Sequence, residues 1–67
     1  MKRMETTGYY ISCPTVVKMF DIRSGTYECF QLEGYHNYYA VYSNSRTGLK
    51  VLIYVGFCQG LPPCQTR

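Results

Sequence analysis

Residues 49–57, Leu-Lys-Val-Leu-Ile-Tyr-Val-Gly-Phe, decide the fold class of this 67-residue chain. An apolar side chain stands at every second position of the stretch, at Leu49, Val51, Ile53, Val55 and Phe57. Successive side chains of a β-strand point to opposite faces of the sheet, so this stretch has one fully apolar face. It predicts a core strand in a mostly β protein.

The segments before this strand have the same character. Residues 44–48, Asn-Ser-Arg-Thr-Gly, are polar and end in glycine, which predicts a hairpin loop. Turn residues also stand at 23–25 and 33–34, and no window repeats its apolar residues every 3.6 positions. Strands are therefore predicted over 8–13, 15–22, 26–32, 35–43 and 49–57. They make a small antiparallel meander of about four to five strands, which further curling would turn into a small barrel.

The length allows a single domain, residues 1–67, with a flexible N-terminus over 1–7 and a loop-like tail over 58–67. The tail is expected to be irregular because it contains Gly60, Pro62 and Pro63. A domain of this size buries only about 60% of its unfolded surface, so its core needs further support.

Four cysteines, which allow three pairings, are the first candidates for that support. Cys58 and Cys64 lie close in sequence and are the predicted disulfide, although Cys13 and Cys58 end the first and last predicted strands and could also meet. Cys29 is expected to be a small buried apolar residue. Reduced or partly paired thiols are predicted for the cell. The spacings do not match those of zinc sites, so neither a metal nor a cofactor is predicted.

The chain start predicts a cytoplasmic protein, or one of the host cytoplasm if the source is viral. Lys2 and Arg3 are not followed by the apolar run of a signal peptide. No apolar run reaches the length of a membrane span, so no membrane association is expected. Secretion remains an alternative if a signal sequence is missing from the chain.

Little in the sequence points to catalysis. His36 is the only histidine, and the four carboxylates do not fall into a close pair. Phosphate-binding and metalloprotease motifs are absent. The prediction is a non-enzymatic protein without catalytic residues.

The tyrosines form the most unusual group, since four of them fall within residues 35–42. If Ser43 lies opposite Leu49 across the loop, then Tyr42 comes near Lys50 and Tyr38 near Tyr54. The predicted binding patch is an exposed surface made by Tyr38, Tyr42, Lys50 and Tyr54, with Arg46 at the loop tip. The alternative is that these rings complete the core.

Tyrosine is enriched in protein interfaces, so the first functional prediction is an inhibitor or adaptor that binds a protein partner. The small size of the chain and its lack of catalytic groups are also typical of accessory proteins of phages and mobile elements. The second prediction is a small β-barrel that binds nucleic acid, although the net charge of +3 is low and scattered. The third is a secreted, disulfide-stapled peptide. A homo-oligomer is compatible with all three.

Overall fold

The computed structural model describes residues 13–64. These residues form one antiparallel sheet of four strands that curls into a half-barrel. The strands lie side by side in chain order and are β1 (Val16–Asp21), β2 (Thr26–His36), β3 (Tyr39–Ser43) and β4 (Lys50–Tyr54). The predicted small antiparallel β fold is thereby confirmed. The predicted strand over 8–13, except Cys13, and the predicted flexible segment 1–7 lie outside the described residues.

The second strand is longer than predicted, because residues 33–34 do not end it. The register shifts between Leu32 and Gly34, which is the mark of a β-bulge, and β2 continues to His36. The chain reverses at Asn37 instead, where φ is 56°. Asparagine tolerates this left-handed conformation better than most residues. The predicted strand over 35–43 is therefore divided between β2 and β3.

The hairpin loop over 44–48 is confirmed. The N–H of Asn44 donates to the carbonyl of Leu49 (2.9 Å), and the N–H of Gly48 donates to the carbonyl of Asn44 (2.7 Å). Gly48 has φ of 83°, a conformation that glycine adopts without steric penalty. The loop fixes β3 and β4 next to each other.

The core lies on the concave face of the sheet. Val17 of β1 and Phe30 of β2 are opposite each other and wholly buried, and Ala40 and Tyr42 of β3 are buried beside them. Phe20 of β1 is instead half exposed, because it has the opposite parity to Val17 and points to the convex face. In the stretch 49–57, Val55 is buried and Leu49, Val51 and Ile53 are half-buried. The predicted strand is too long at its end, because β4 ends at Tyr54 and Phe57 lies in the turn that follows, 72% exposed.

Two disulfides staple the sheet, Cys13–Cys58 and Cys29–Cys64, and residues 13–64 contain no free cysteine. The Cα atoms are 5.4 Å and 5.6 Å apart, within the normal disulfide range. The predicted Cys58–Cys64 bridge is wrong, and Cys29, expected to be a small buried apolar residue, is half-buried and bridged to Cys64. Cys58 is buried in the core with Cys13, and the chain then carries Cys64 away to Cys29.

The described part of the tail is more ordered than a loop. A short 3₁₀ turn, Cys58–Gly60, is followed by a segment that pairs antiparallel with β1. The N–H of Lys18 donates to the carbonyl of Pro62 (2.9 Å), and the N–H of Cys64 donates to the carbonyl of Val16 (3.2 Å). The tail therefore covers the outer edge of β1.

Candidate functional site

The predicted tyrosine patch loses one of its members because the strand register differs by one residue. Ser43 lies opposite Lys50 rather than Leu49, and Tyr42 lies opposite Val51. A slip of one residue moves every side chain of a strand to the other face. Tyr42 therefore points into the core, where it is wholly buried.

The buried Tyr42 has a structural role. Its hydroxyl donates to the carbonyl of Pro14 at 2.7 Å, so the ring also holds the segment that leads into β1. Burial, with a smaller contribution from Tyr35, raises the pKa of the Tyr42 hydroxyl above its ordinary value of 10.0. The side chain remains a neutral donor in the core, and the prediction that it belongs to an exposed patch is wrong.

The other predicted tyrosines and Lys50 are exposed, but they do not form the predicted group. Tyr38 lies in the turn after β2 instead of opposite Tyr54. The residue opposite Tyr54 is Tyr39, which was not part of the predicted patch. The Tyr38 backbone still contacts the end of the sheet, since its carbonyl accepts the N–H of Val55 (2.9 Å).

The ring of Tyr54 contacts two other exposed rings, and we call Tyr39, Tyr54 and Phe57 the aromatic cluster. The Tyr39 and Tyr54 ring centroids are 5.9 Å apart with an interplanar angle of 74°, an edge-to-face arrangement. Tyr54 and Phe57 are also 5.9 Å apart, at 57°. Despite these contacts, the three side chains are 42%, 46% and 72% exposed. The cluster is therefore an ordered aromatic surface that faces solvent.

Gly56 allows the central ring to lie against the turn that follows β4. A Cβ atom at position 56 would stand 2.9 Å from Cε2 and 3.0 Å from Cδ2 of Tyr54. That separation is shorter than van der Waals contact, so any larger residue would displace the ring. Gly56 thus belongs to the site although it has no side chain.

The apolar surface continues from the cluster along the two strands. Val41 of β3 and Leu52 of β4 are opposite each other on the same face, and Leu52 is 57% exposed. Lys50 follows Leu52 at the far end of β4. Contiguous exposed apolar side chains of this kind commonly mark interaction sites in small soluble proteins.

Arg46, predicted to stand beside the patch, binds another strand. Its Nε donates to Oε1 of Glu28 (3.0 Å) and its terminal NH2 nitrogen donates to Oε2 (2.6 Å). This paired contact holds the pKa of Glu28 at about 2, well below its ordinary 4.5, and raises that of Arg46. Arg46 therefore fastens its loop to β2, at the end of the sheet away from the aromatic cluster.

The buried carboxylate of Asp21, which was not among the predicted site residues, binds the same loop. Asp21 is wholly buried and accepts hydrogen bonds from Asn44 Nδ2 (2.8 Å) and the Thr47 hydroxyl. It also accepts the backbone N–H groups of Arg23 (2.7 Å) and Ser24 (3.2 Å). Burial acts to raise its pKa, but these hydrogen bonds together lower it below the ordinary 3.8. Asp21 is thus an ionised structural residue whose oxygen atoms are already engaged.

The sequence feature that could have indicated the role of Asp21 is its position two residues before the turn Arg23-Ser24-Gly25. An aspartate at the start of a turn often accepts the N–H of the residue two positions on. That rule predicts the bond from Arg23. It does not predict the contacts with Asn44 and Thr47, which depend on the hairpin loop folding onto the turn.

A second exposed aromatic pair lies elsewhere on the sheet. Phe20 of β1 and Tyr27 of β2 are opposite each other, with centroids 5.4 Å apart at an angle of 77°. This pair resembles one contact of the aromatic cluster but lacks a third ring. It provides a matched position for control variants.

Further features of residues 13–64 bear on other kinds of site. No helix there is long and apolar enough to span a membrane. His, Cys, Asp and Glu side chains of that region do not gather in threes into a group that could hold a metal ion. No protein-family model matches the chain, and no curated protein or solved structure shows significant similarity to it.

Proposed function

We propose that this protein is a non-enzymatic binding protein, an inhibitor or adaptor, and that the aromatic cluster is its contact surface for a protein partner. The observation that supports this is the exposure of three rings that are linked by two ring contacts through Tyr54. Tyrosine and phenylalanine contribute large contact areas at protein interfaces and are frequent anchors there.

The surroundings of the cluster favour a protein over a nucleic acid. Proteins that bind single strands combine stacking rings with cations that follow the phosphates. Here Lys50 lies at the opposite end of β4, and Arg46 is paired with Glu28. The cluster is continued instead by apolar Leu52.

The disulfides support the proposed mode of binding, and they also favour an oxidising compartment as the place where the protein acts. A surface on a stapled sheet is already ordered, so binding loses little conformational entropy. Disulfides persist in oxidising compartments and are rare in the cytoplasm. The two bridges therefore favour a secreted or otherwise extracytoplasmic site of action over the cytoplasmic location expected from the chain start.

The test begins with affinity capture from extracts and secretions of the native host, followed by calorimetry with the captured partner. Tyr54→Ser should weaken binding by about 1–3 kcal/mol, the range of interface anchors. Gly56→Ala should also weaken it, because the ring is displaced while every aromatic group is kept. Tyr27→Ser, which removes an exposed tyrosine outside the cluster, should bind like the wild type.

Two results would contradict the proposal. Equal affinities for the Tyr54, Gly56 and Tyr27 variants would show that the cluster is not the contact surface. An affinity for single-stranded oligonucleotides that falls steeply with salt would point to nucleic acid instead.

A further inference from the structure

The two edges of the sheet differ. The outer edge of β1 is covered by the tail, which forms backbone hydrogen bonds with it on both sides of Val17. Within residues 13–64, no segment pairs with the outer edge of β4. An uncovered strand edge presents backbone donors and acceptors that can bind another strand.

The hydrogen bonds at the two ends of the β3–β4 ladder show which backbone groups lie on this edge. Asn44 donates to the carbonyl of Leu49, and Val55 donates to the carbonyl of Tyr38, both at 2.9 Å. Bonded pairs alternate along an antiparallel ladder, so every second residue from Leu49 to Val55 bonds to β3. The residues between them turn their backbone groups away from β3, and these are Lys50, Leu52 and Tyr54.

We propose that β4 is a homodimer interface, in which β4 of two copies pair antiparallel about a twofold axis at Leu52. This register places Leu52 opposite the partner's Leu52 and Lys50 opposite the partner's Tyr54. It is the only antiparallel register in which all five residues of β4 face β4 of the other copy. The Leu52 pair then exchanges two backbone hydrogen bonds, and each Tyr54 N–H donates to the partner's Lys50 carbonyl. The Tyr54 carbonyl itself already accepts the Phe57 N–H (2.8 Å).

The side chains complement one another in this register, which is why the proposed occupant is a second copy of the chain. The Lys50 ammonium group meets the ring of the partner's Tyr54, a cation–π arrangement, and no like charges are opposed. Leu52, more than half exposed in the monomer, is covered at the axis. On the concave face, half-buried Val51 meets the partner's Ile53, a pairing of β-branched residues that sheets favour.

Moving the register by two residues removes this match. A shift in one direction sets Lys50 against the partner's Gly56, and a shift in the other sets Tyr54 against the partner's Gly48. Each shift loses both cation–π contacts and leaves residues of β4 facing turn residues. The dimer shares Tyr54 and Leu52 with the proposed contact surface but does not need Tyr39 or Phe57, so Tyr39→Ser separates the two proposals.

Sedimentation equilibrium of the oxidised full chain is the first test. The wild type should show a concentration-dependent species of twice the 7.8 kDa monomer mass. Leu52→Lys should weaken the dimer by about tenfold or more, because it opposes two charges at the axis and removes an apolar contact. Phe20→Lys, an equivalent change on the exposed face of β1, and Tyr39→Ser, which removes a cluster ring, should both dimerise normally.

Amide hydrogen exchange of the wild type tests the same inference without a variant. The Leu52 amide should become protected as the protein concentration rises, whereas the Val51 amide, which faces β3, should be protected throughout. A wild type that stays monomeric at millimolar concentration would overturn the proposal. So would a dimer whose Leu52 amide exchanges freely, or a monomer in which that amide is always protected, since another segment of the chain would then cover the edge.

Discussion

At the scale of single residues, Tyr42 shows how a side chain can be mistaken for surface. Its hydroxyl suggests exposure, and its neighbours Tyr38 and Tyr39 are indeed exposed. The ring is nevertheless the largest fully buried side chain among residues 13–64, and its polar atom is satisfied by the carbonyl of Pro14. A buried tyrosine is tolerated when its hydroxyl has a partner.

Substitutions at Tyr42 should therefore affect stability. Tyr42→Phe leaves the Pro14 carbonyl without its donor and should lower the free energy of unfolding by about 1–2 kcal/mol. Tyr42→Ala should lower it by about 3–5 kcal/mol, as for other large aromatic truncations in a core. Urea unfolding measures both, with Tyr38→Ala as the control on an exposed ring. Wild-type stability of Tyr42→Ala would show that the ring is not part of the core.

Gly56 allows a change that alters the aromatic cluster without removing a ring. Gly56→Ala should keep the fold, since the backbone at this position does not have a positive φ, but should push the Tyr54 ring away from the turn. Ring-current shifts in the proton spectra of Tyr39 and Phe57 should change, while those of the Phe20–Tyr27 pair stay constant. Unchanged shifts at Tyr39 would mean that the ring contacts do not depend on Gly56.

At the scale of elements, the hairpin loop after β3 is held by contacts with distant parts of the chain. Arg46 binds Glu28 on β2, while Asn44 and Thr47 bind Asp21 at the end of β1. These contacts join two turns that are distant in sequence but lie at the same end of the sheet. They involve carboxylates whose pKa values lie below the ordinary range.

This arrangement predicts a loss of stability in acid. The pKa of Glu28 is about 2 in the folded protein and near 4.5 when unfolded, and that of Asp21 is also lowered by folding. The folded state therefore binds protons less readily than the unfolded state, so stability is full above about pH 4.5 and falls as the pH drops towards 2. Melting temperatures across this range should decline less steeply for Glu28→Gln than for the wild type. Parallel declines would show that the Arg46 contact does not stabilise the fold.

The same long-range contacts explain why the strand register was mispredicted. The alternation correctly predicted that Val51, Ile53 and Val55 point inward but was wrong for Phe57, which lies beyond the end of β4. The residues of 44–48 correctly predicted the loop. Local patterns did not decide whether Ser43 or Asn44 pairs with Leu49. Asn44 accepts the Arg46 N–H (2.9 Å) and donates to Asp21, and these bonds favour the tighter loop that moves Tyr42 inward and Tyr39 outward.

At the scale of the whole molecule, the two disulfides support a core that is small for an independent domain. Cys13–Cys58 encloses a sequence separation of 45 residues and lies in the core, whereas Cys29 and Cys64 are only half-buried. Bridges that close loops of this length typically stabilise a fold by about 2–4 kcal/mol. Spacing alone favoured Cys58–Cys64, because the sequence does not show that the tail returns along β1.

The difference in burial predicts the order of reduction. Increasing concentrations of dithiothreitol should open Cys29–Cys64 first, since its sulfur atoms are more accessible to a thiolate. Alkylation followed by mass spectrometry identifies the reduced pair. The variant with Ser at positions 29 and 64 should remain folded, and the variant with Ser at 13 and 58 should be less stable by about 2–5 kcal/mol. The reverse order of reduction would mean that the core bridge is the more accessible one.

The tail along β1 also has a consequence for how far copies of the chain can assemble. A sheet with two uncovered edges can add molecules at both ends without limit, which is the geometry of a growing fibril. Here the tail covers the edge of β1, so the proposed association through β4 would stop at a closed pair. Because Cys29–Cys64 holds the tail in place, its selective reduction should convert the proposed dimer into an open-ended assembly. Thioflavin fluorescence should then rise with time in mild reductant and stay flat in the oxidised protein.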